Sequence, residues 1–213
     1  MIKKYLAESL GTFILVFCGT GAIIINEVSG GAVTHIGIAI TFGLVVLALI
    51  YSIGDISGAH INPAVTIAFA VAKRFKWQHV IPYIVAQVIG AFVASLVLKF
   101  LFPANELLGT TLPSGSSMQS FILEVILTFI LMYVILNVTS GSKEKGITAG
   151  IAIASVIALD AMFGGPISGA SMNPARSLAP ALLSGHLECL WIYLCAPIAG
   201  AIVAVVANIL IRE

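Results

Sequence analysis

Charge is what this chain has least of: Asp, Glu, Lys and Arg together make up 9% of its 213 residues, and the formal net charge is only +1. So few charges do not suit the surface of a soluble domain, and the near-neutral balance gives no reason to expect nucleic acid or an acidic partner. Cysteine is also sparse. Cys18, Cys189 and Cys195 lie in or beside apolar runs without metal-ligand spacing, so they read as small buried hydrophobes; no metal site and no cofactor is expected. What fills the chain instead is apolar. Hydrophobic residues make up 60% of it and the mean hydropathy is +1.12, which places it among membrane proteins.

Two stretches organise the rest. Ser57 to Thr66 reads SGAHINPAVT and Ser168 to Ser177 reads SGASMNPARS, each following a long apolar segment and preceding a short one. Asn is a favoured helix N-cap, Pro is tolerated at the first helical position and Ala is the best helix former, so each Asn-Pro-Ala (Asn62, Pro63, Ala64; Asn173, Pro174, Ala175) starts a helix. The helices so begun, Pro63 to about Ala72 and Pro174 to about Ser184, are cut off by KRFK and by Ser-Gly-His. About eleven residues at about 1.5 Å each reach about half of a ~30 Å hydrocarbon core. These are half-helices.

Six apolar runs are long enough to cross a bilayer: about Tyr5 to Ile25, Thr34 to Ile53, His79 to Phe102, Met118 to Val138, Ile147 to Phe163 and Leu190 to Ile211. The first follows Lys3-Lys4 as a secretory signal would, but it carries Glu8 and is followed by further spans, so it reads as an uncleaved membrane helix. Polar connections fall at Asn26 to Val33, at the two motifs, at Ser140 to Gly146 and at Pro103 to Ser117.

The two halves repeat each other, about 1–102 and 118–213, with 103–117 as linker in one domain spanning 1–213. ESLGTFILVF from Glu8 matches EVILTFILMY from Glu124; GIAI occurs at Gly37 and at Gly150; AQVIGA from Ala86 matches APIAGA from Ala196. Three spans per half is an odd number, so the second half must be inverted relative to the first. The expected fold is therefore all-α, with six transmembrane helices and two re-entrant half-helices whose N-terminal ends meet near the midplane.

Positive charge sets the orientation. Lys3, Lys4, Lys73, Arg74, Lys76, Lys143, Lys145 and Arg212 fall on one side, whereas Glu27, Glu106 and Glu188 mark the other, so both termini are expected in the cytoplasm of a multi-pass cell-membrane protein. KRFKW (Lys73 to Trp77) reads as an interfacial anchor, and Lys99 as a snorkelling side chain. Arg176 is the exception. It lies in the first turn of a half-helix at mid-membrane, where a cation faces both low dielectric and a positive helix end, and a water-filled path accounts for it best.

Donors at the centre and acceptors on either side suit a file of small neutral hydrogen-bonding molecules. Asn62 and Asn173 supply the donors, and the carbonyls of the non-helical Gly58, Ala59 and His60, and of Gly169, Ala170 and Ser171, line the approach. Positive helix ends with Arg176 penalise hydronium and metal cations. Glu8 and Glu124, equivalent in the repeat, are expected to accept from the backbone N–H groups of the two loops. Asp160 is expected to face away from the path, and no partner can be named for it.

On these residues the chain resembles the major intrinsic protein family, the aquaporins and aquaglyceroporins, over essentially its whole length. The resemblance implies a right-handed bundle, a homotetramer with one pore per subunit, passive bidirectional flow and no catalytic residue. It also implies an outer selectivity filter at Phe42, Ala161, Ala170 and Arg176. Strict water channels typically carry histidine at the second of these positions; alanine leaves room for solutes with a carbon edge and a hydroxyl edge. Ser177, Ala181 and Tyr193 resemble the water-channel pattern, Leu194 the glycerol pattern, and the long insertion of many glycerol channels is missing. Gly165 to Leu178 (GPISGASMNPARSL) is most similar to the nodulin-like branch and its microbial relatives, which conduct glycerol and neutral metalloid hydroxides. A broad neutral-solute pore is expected, with a strict water channel as the alternative.

Two other classes make different demands. A secondary transporter with broken helices would need carboxylates placed for a coupling ion, and the motif core is neutral apart from Arg176. An intramembrane enzyme would need a nucleophile paired with a base. Ser171 and His60 are the nearest thing to one, and the duplication explains both without chemistry.

Overall fold

A computed structural model of the chain describes residues 1–140 and 143–212. Two residues of the expected 140–146 connection, 141 and 142, lie outside the described residues, as do the side chains of Lys143, Lys145 and Arg212 on which part of the orientation reading rests. The described residues form helices α1 (Ile2–Val28), α2 (Thr34–Ser57), α3 (Pro63–Val71), α4 (Val80–Leu101), α5 (Ser117–Val138), α6 (Lys143–Ser168), α7 (Pro174–Ser184) and α8 (Leu190–Arg212), with a 3-10 turn at Trp77–His79. Six of them are long and apolar enough to cross a membrane. Their outward faces carry exposed Leu10, Leu44, Ile89, Leu159 and Val203, which suits a lipid environment.

Local chemistry sets the helix ends. Asn62 Oδ1 accepts from Ala64 N at 2.9 Å to start α3, and Asn173 Oδ1 accepts from Ala175 N at 3.0 Å to start α7. At the start of α5, Ser116 Oγ accepts from Gln119 N at 3.1 Å. The second and fifth spans run further than the hydropathy suggests, to Ser57 rather than Ile53 and to Ser168 rather than Phe163. In each case the helix continues until a glycine can turn left-handed, Gly58 at φ 90° and Gly169 at φ 85°. The extension of α6 takes in Pro166, which a reading of helix breakers places outside the span.

Packing repeats the duplication. In the first half α1 packs on α4 and α2; in the second α5 packs on α8 and α6, and α2 meets α6 across the two halves. Close approach depends on matched glycines: a Cβ on Gly90 would overlap the Ser9 carbonyl, and one on Gly200 would overlap the Val125 carbonyl. Each half-helix leans on the other half, α3 on α8 and α7 on α4, as well as on its own.

The 103–117 segment does more than join the halves. Leu108 and Thr111 are buried, and Ser114 N donates to Ile167 O at 2.9 Å, so the segment folds back over the end of α6. Lys99 also does more than snorkel. Its Nζ donates to Leu183 O at 2.7 Å and so closes the carbonyl end of α7, where a cation is electrostatically favoured.

Candidate pore

Between the spans and the half-helices lie two short irregular segments, residues 58–62 and 169–173. In each, alternate residues are left-handed: Ala59 (φ 47°) and Ile61 (φ 42°), then Ala170 (φ 42°) and Met172 (φ 53°). Left-handed backbone costs an L-residue about 1–2 kcal/mol, and most for a β-branched one such as Ile61, so something must hold it. Glu8 and Glu124 do. Glu8 Oε1 accepts from Ser57 Oγ (2.7 Å) and His60 N (2.9 Å), and Oε2 from Ile61 N (2.6 Å) and Gln87 Nε2 (2.7 Å). Glu124 Oε1 accepts from Ser168 Oγ (2.7 Å) and Ser171 N (2.8 Å), and Oε2 from Met172 N (2.9 Å). Charge-assisted bonds of this kind are about twice as strong as neutral ones, which offsets the backbone strain. Tyrosines add a second tie in each half, Tyr83 Oη to Ser57 O at 2.8 Å and Tyr193 Oη to Ser168 O at 2.7 Å.

The half-helix tips are bonded to each other's loops. Asn62 Nδ2 donates to Met172 O at 2.8 Å, and Asn173 Nδ2 donates to Ile61 O at 2.9 Å. An amide nitrogen has two hydrogens, so each Asn keeps one for the space between them. Since each Oδ1 is already the helix cap, the orientation of both amides is fixed.

The network also settles a tautomer. Glu8 requires the Nε2 side of the Gln87 amide, and that same Nε2 donates to Thr66 Oγ1 at 3.0 Å. Thr66 has one hydroxyl hydrogen and directs it to Asn62 O at 2.9 Å. His60 Nδ1, 3.2 Å from that hydroxyl, must therefore be the donor, leaving Nε2 as an acceptor on a ring that lines the passage. In the second half Ser171 takes the place of histidine. Its Oγ donates to Asn173 O at 3.0 Å and lies 2.6 Å from Ser177 Oγ, which accepts from Thr111 Oγ1 at 2.7 Å. Ser171 and His60 are thus each bonded within their own half.

A passage runs past both tips. It is lined by Gly58, Ala59, His60, Ile61 and Asn62 from one loop, by Ala170, Ser171, Met172 and Asn173 from the other, and by Phe42, Ala161 and Arg176. Gly169 is not among the lining residues; Thr111 packs against it, its Cγ2 3.0 Å from where a Cβ would stand. Most of the remaining wall is apolar, including Leu15, Val46, Leu131, Ile153 and Ile157.

Two of the lining residues, Phe42 and Arg176, stand side by side. The Arg176 guanidinium carbon sits 5.3 Å from the centre of the Phe42 ring, within cation–π range, and Nη1 donates to Gly109 O at 2.7 Å. Arg176 is 2% exposed, and its Nε has no partner among the described residues. Gly19 makes room for Phe42, whose ring would overlap any Cβ there. Ala161 and Ala170 also line the passage and present methyl groups only. Arg74 lies 5.2 Å over the lining residue Phe69 and donates to Thr139 O at 2.9 Å, bracing α3 against the end of α5.

Several of these parts are absent from the sequence reading. Gln87, Tyr83, Thr111 and Gly109 lie in apolar spans or in the linker; the alignment of the halves pairs Tyr83 with Tyr193 and gives no signal for the other three. Asp160 is fully buried, does not line the passage, and neither carboxylate oxygen has a partner among the described residues.

Known proteins resemble the chain in sequence and in fold. Residues 1–208 match the sequence profile of the major intrinsic protein family. Aquaporin NIP1-1 of Oryza sativa subsp. japonica is 46% identical over 212 residues, covering 99% of this chain and 75% of that one. Nodulin-26 of Glycine max is 48% identical over 202 residues, covering 94% and 74%. Among solved structures, the X-ray structure of the aquaglyceroporin from Plasmodium falciparum superposes with a TM-score of 0.82 at 28% identity, covering 96% of this chain and 93% of that one. With six spans, two half-helices meeting at their asparagines and these likenesses over nearly its full length, the chain belongs to the major intrinsic protein family.

Proposed function

We propose that the chain forms a passive channel for water and small uncharged solutes, glycerol and neutral metalloid hydroxides among them, and that it excludes protons and metal ions. The observation that carries this is the lining itself. A solute passing the half-helix tips meets one free N–H from each of Asn62 and Asn173, acceptors at His60 and along both loops, and otherwise hydrocarbon. Among the described residues no carboxylate lines the passage to attract a cation, while the guanidinium and two positive helix ends oppose it.

Phe42, Ala161, Ala170 and Arg176 form the selectivity filter in this reading. One aromatic wall, one cation and two methyl groups fit a molecule with a carbon edge and a hydroxyl edge, and water passes as well. The family resemblance supports a homotetramer, and the side-dependent lysines and arginines support cytoplasmic termini.

Stopped-flow light scattering on proteoliposomes tests the proposal, comparing water, glycerol, urea and arsenous acid. Solute flux well above that of protein-free vesicles, with no uptake of protons, is expected. Water flux alone would make this a strict water channel, and solute flux that follows an imposed proton gradient would make it a transporter.

A further inference from the structure

Pro166 lies inside α6 and has no N–H, so the carbonyl four residues earlier, that of Met162, loses its helical donor. Met162 immediately follows Ala161, one wall of the constriction. Such an orphan carbonyl calls for another donor. His35, in the first turn of α2, places Nε2 2.7 Å from Met162 O. The acceptor is a carbonyl, so the imidazole carries a proton on Nε2. Room for the ring comes from Gly165: a Cβ there would stand 2.7 Å from His35 Cε1.

The two helices joined by this bond each carry a residue of the proposed filter. Phe42 follows His35 by seven residues, two turns along the same face of α2, and Ala161 adjoins the accepting peptide of α6. We infer that His35 is a positioning residue for solute selectivity: it replaces the N–H that Pro166 lacks and thereby fixes the distance between Phe42 and Ala161. The inference rests on the reading of Phe42, Ala161, Ala170 and Arg176 as the filter. Without the bond the outer end of α6 is free to move away from α2, and the opening between phenyl ring and methyl group widens.

The reconstituted full chain tests this through the ratio of erythritol to glycerol flux, which a general loss of folded protein would leave unchanged. His35→Phe is expected to raise the ratio about three- to tenfold, the range that the net worth of one hydrogen bond represents in an equilibrium. His35→Gln, whose amide can reach the same carbonyl, should restore the original ratio. Gly165→Ala, which keeps the histidine but displaces its ring, should reproduce the effect of His35→Phe and serves if that variant does not fold. Pro166→Ala returns a backbone N–H to Met162 O, so adding His35→Phe to it should change nothing further. Ala161→Trp is the control for the filter itself. If it shifts the ratio while His35→Phe and Gly165→Ala do not, the role of His35 is overturned and the filter stands. If none of the three shifts it, the filter assignment falls and this inference with it. An equal effect of His35→Phe with and without Pro166 would also overturn it, because the histidine would then be acting elsewhere.

Discussion

Asn62 and Asn173 each donate to the carbonyl of the residue just before the other, at 2.8 Å to Met172 and 2.9 Å to Ile61. The two half-helix tips are therefore locked in register by a reciprocal pair of bonds, and each side chain caps its helix and bridges to the opposite loop; in the proposed channel its second N–H serves a solute. Changing either to Asp preserves the cap, removes the bridge and sets a carboxylate against a carbonyl oxygen. Asn62→Asp and Asn173→Asp should each lower water and glycerol flux about tenfold or more, since an unsatisfied carbonyl alone costs about 1–3 kcal/mol. Stopped-flow measurements on vesicles with matched protein content check this, and unchanged flux in both variants would contradict a central donor pair.

The two glutamates are equivalent in the repeat but not in their surroundings. Glu8 accepts four bonds, and Glu124 accepts three because Pro197 stands where the first half has Gln87. Replacing either by Gln turns an NH2 toward groups that are themselves donors. Glu8→Gln should cost about 3 kcal/mol of stability and Glu124→Gln about 2, by the usual penalty for unmade buried bonds. Thermal unfolding in detergent should show both midpoints lowered, Glu8→Gln more. The reverse order would mean that the loops are held by something other than these bonds.

Among the described residues, Arg176 is the only charged side chain on the passage wall. A unit charge about 4 Å from a cation opposes it by about 4 kcal/mol at an effective dielectric constant of about 20. Arg176→Val should therefore raise proton or small-cation leak at least tenfold, even with the helix ends still in place. Vesicles loaded with a pH-sensitive dye give the readout, and a leak equal to that of the unaltered chain would remove Arg176 from ion exclusion.

Ala161 contributes only a methyl group to the passage wall. Ala161→His or Ala161→Trp should cut glycerol flux several-fold more than water flux, because the larger molecule meets the added ring first. An equal loss of both fluxes would place Ala161 outside the filter.

Asp160 stands apart from the network, fully buried and with both carboxylate oxygens unpartnered among the described residues. A polar group in that position is a burden on the fold, and a side chain of similar shape without it should relieve that burden. Asp160→Val is expected to raise stability by about 1–3 kcal/mol and to leave water flux unchanged. A lowered unfolding midpoint would show that the carboxyl has an unseen partner.

Much of this architecture is legible in the amino-acid string because the bilayer restricts what an apolar run can do. The half-helices announce themselves through Asn-Pro-Ala, whose capping chemistry is local, and Glu8 and Glu124 stand out as acids inside apolar runs at equivalent places. Gln87 and Tyr83 do not stand out, since a polar tip on an otherwise apolar helix face says nothing about its partner until the helices are packed. Gly109 and Thr111 are harder still: the linker has no period to show that it turns inward to reach Arg176 and Ser177. The length of α6 is obscured by Pro166, which ends most helices and is accommodated here by a histidine 131 residues earlier in the chain.

The crossed packing of α3 on α8 and of α7 on α4 has a consequence for biosynthesis. The first four helices by themselves lack both the carbonyl to which Asn62 donates and the α8 surface that α3 rests on in addition to α4. A polypeptide halted after α4 would have only one of the two loops that wall the passage, because Ala170 to Asn173 have yet to be made.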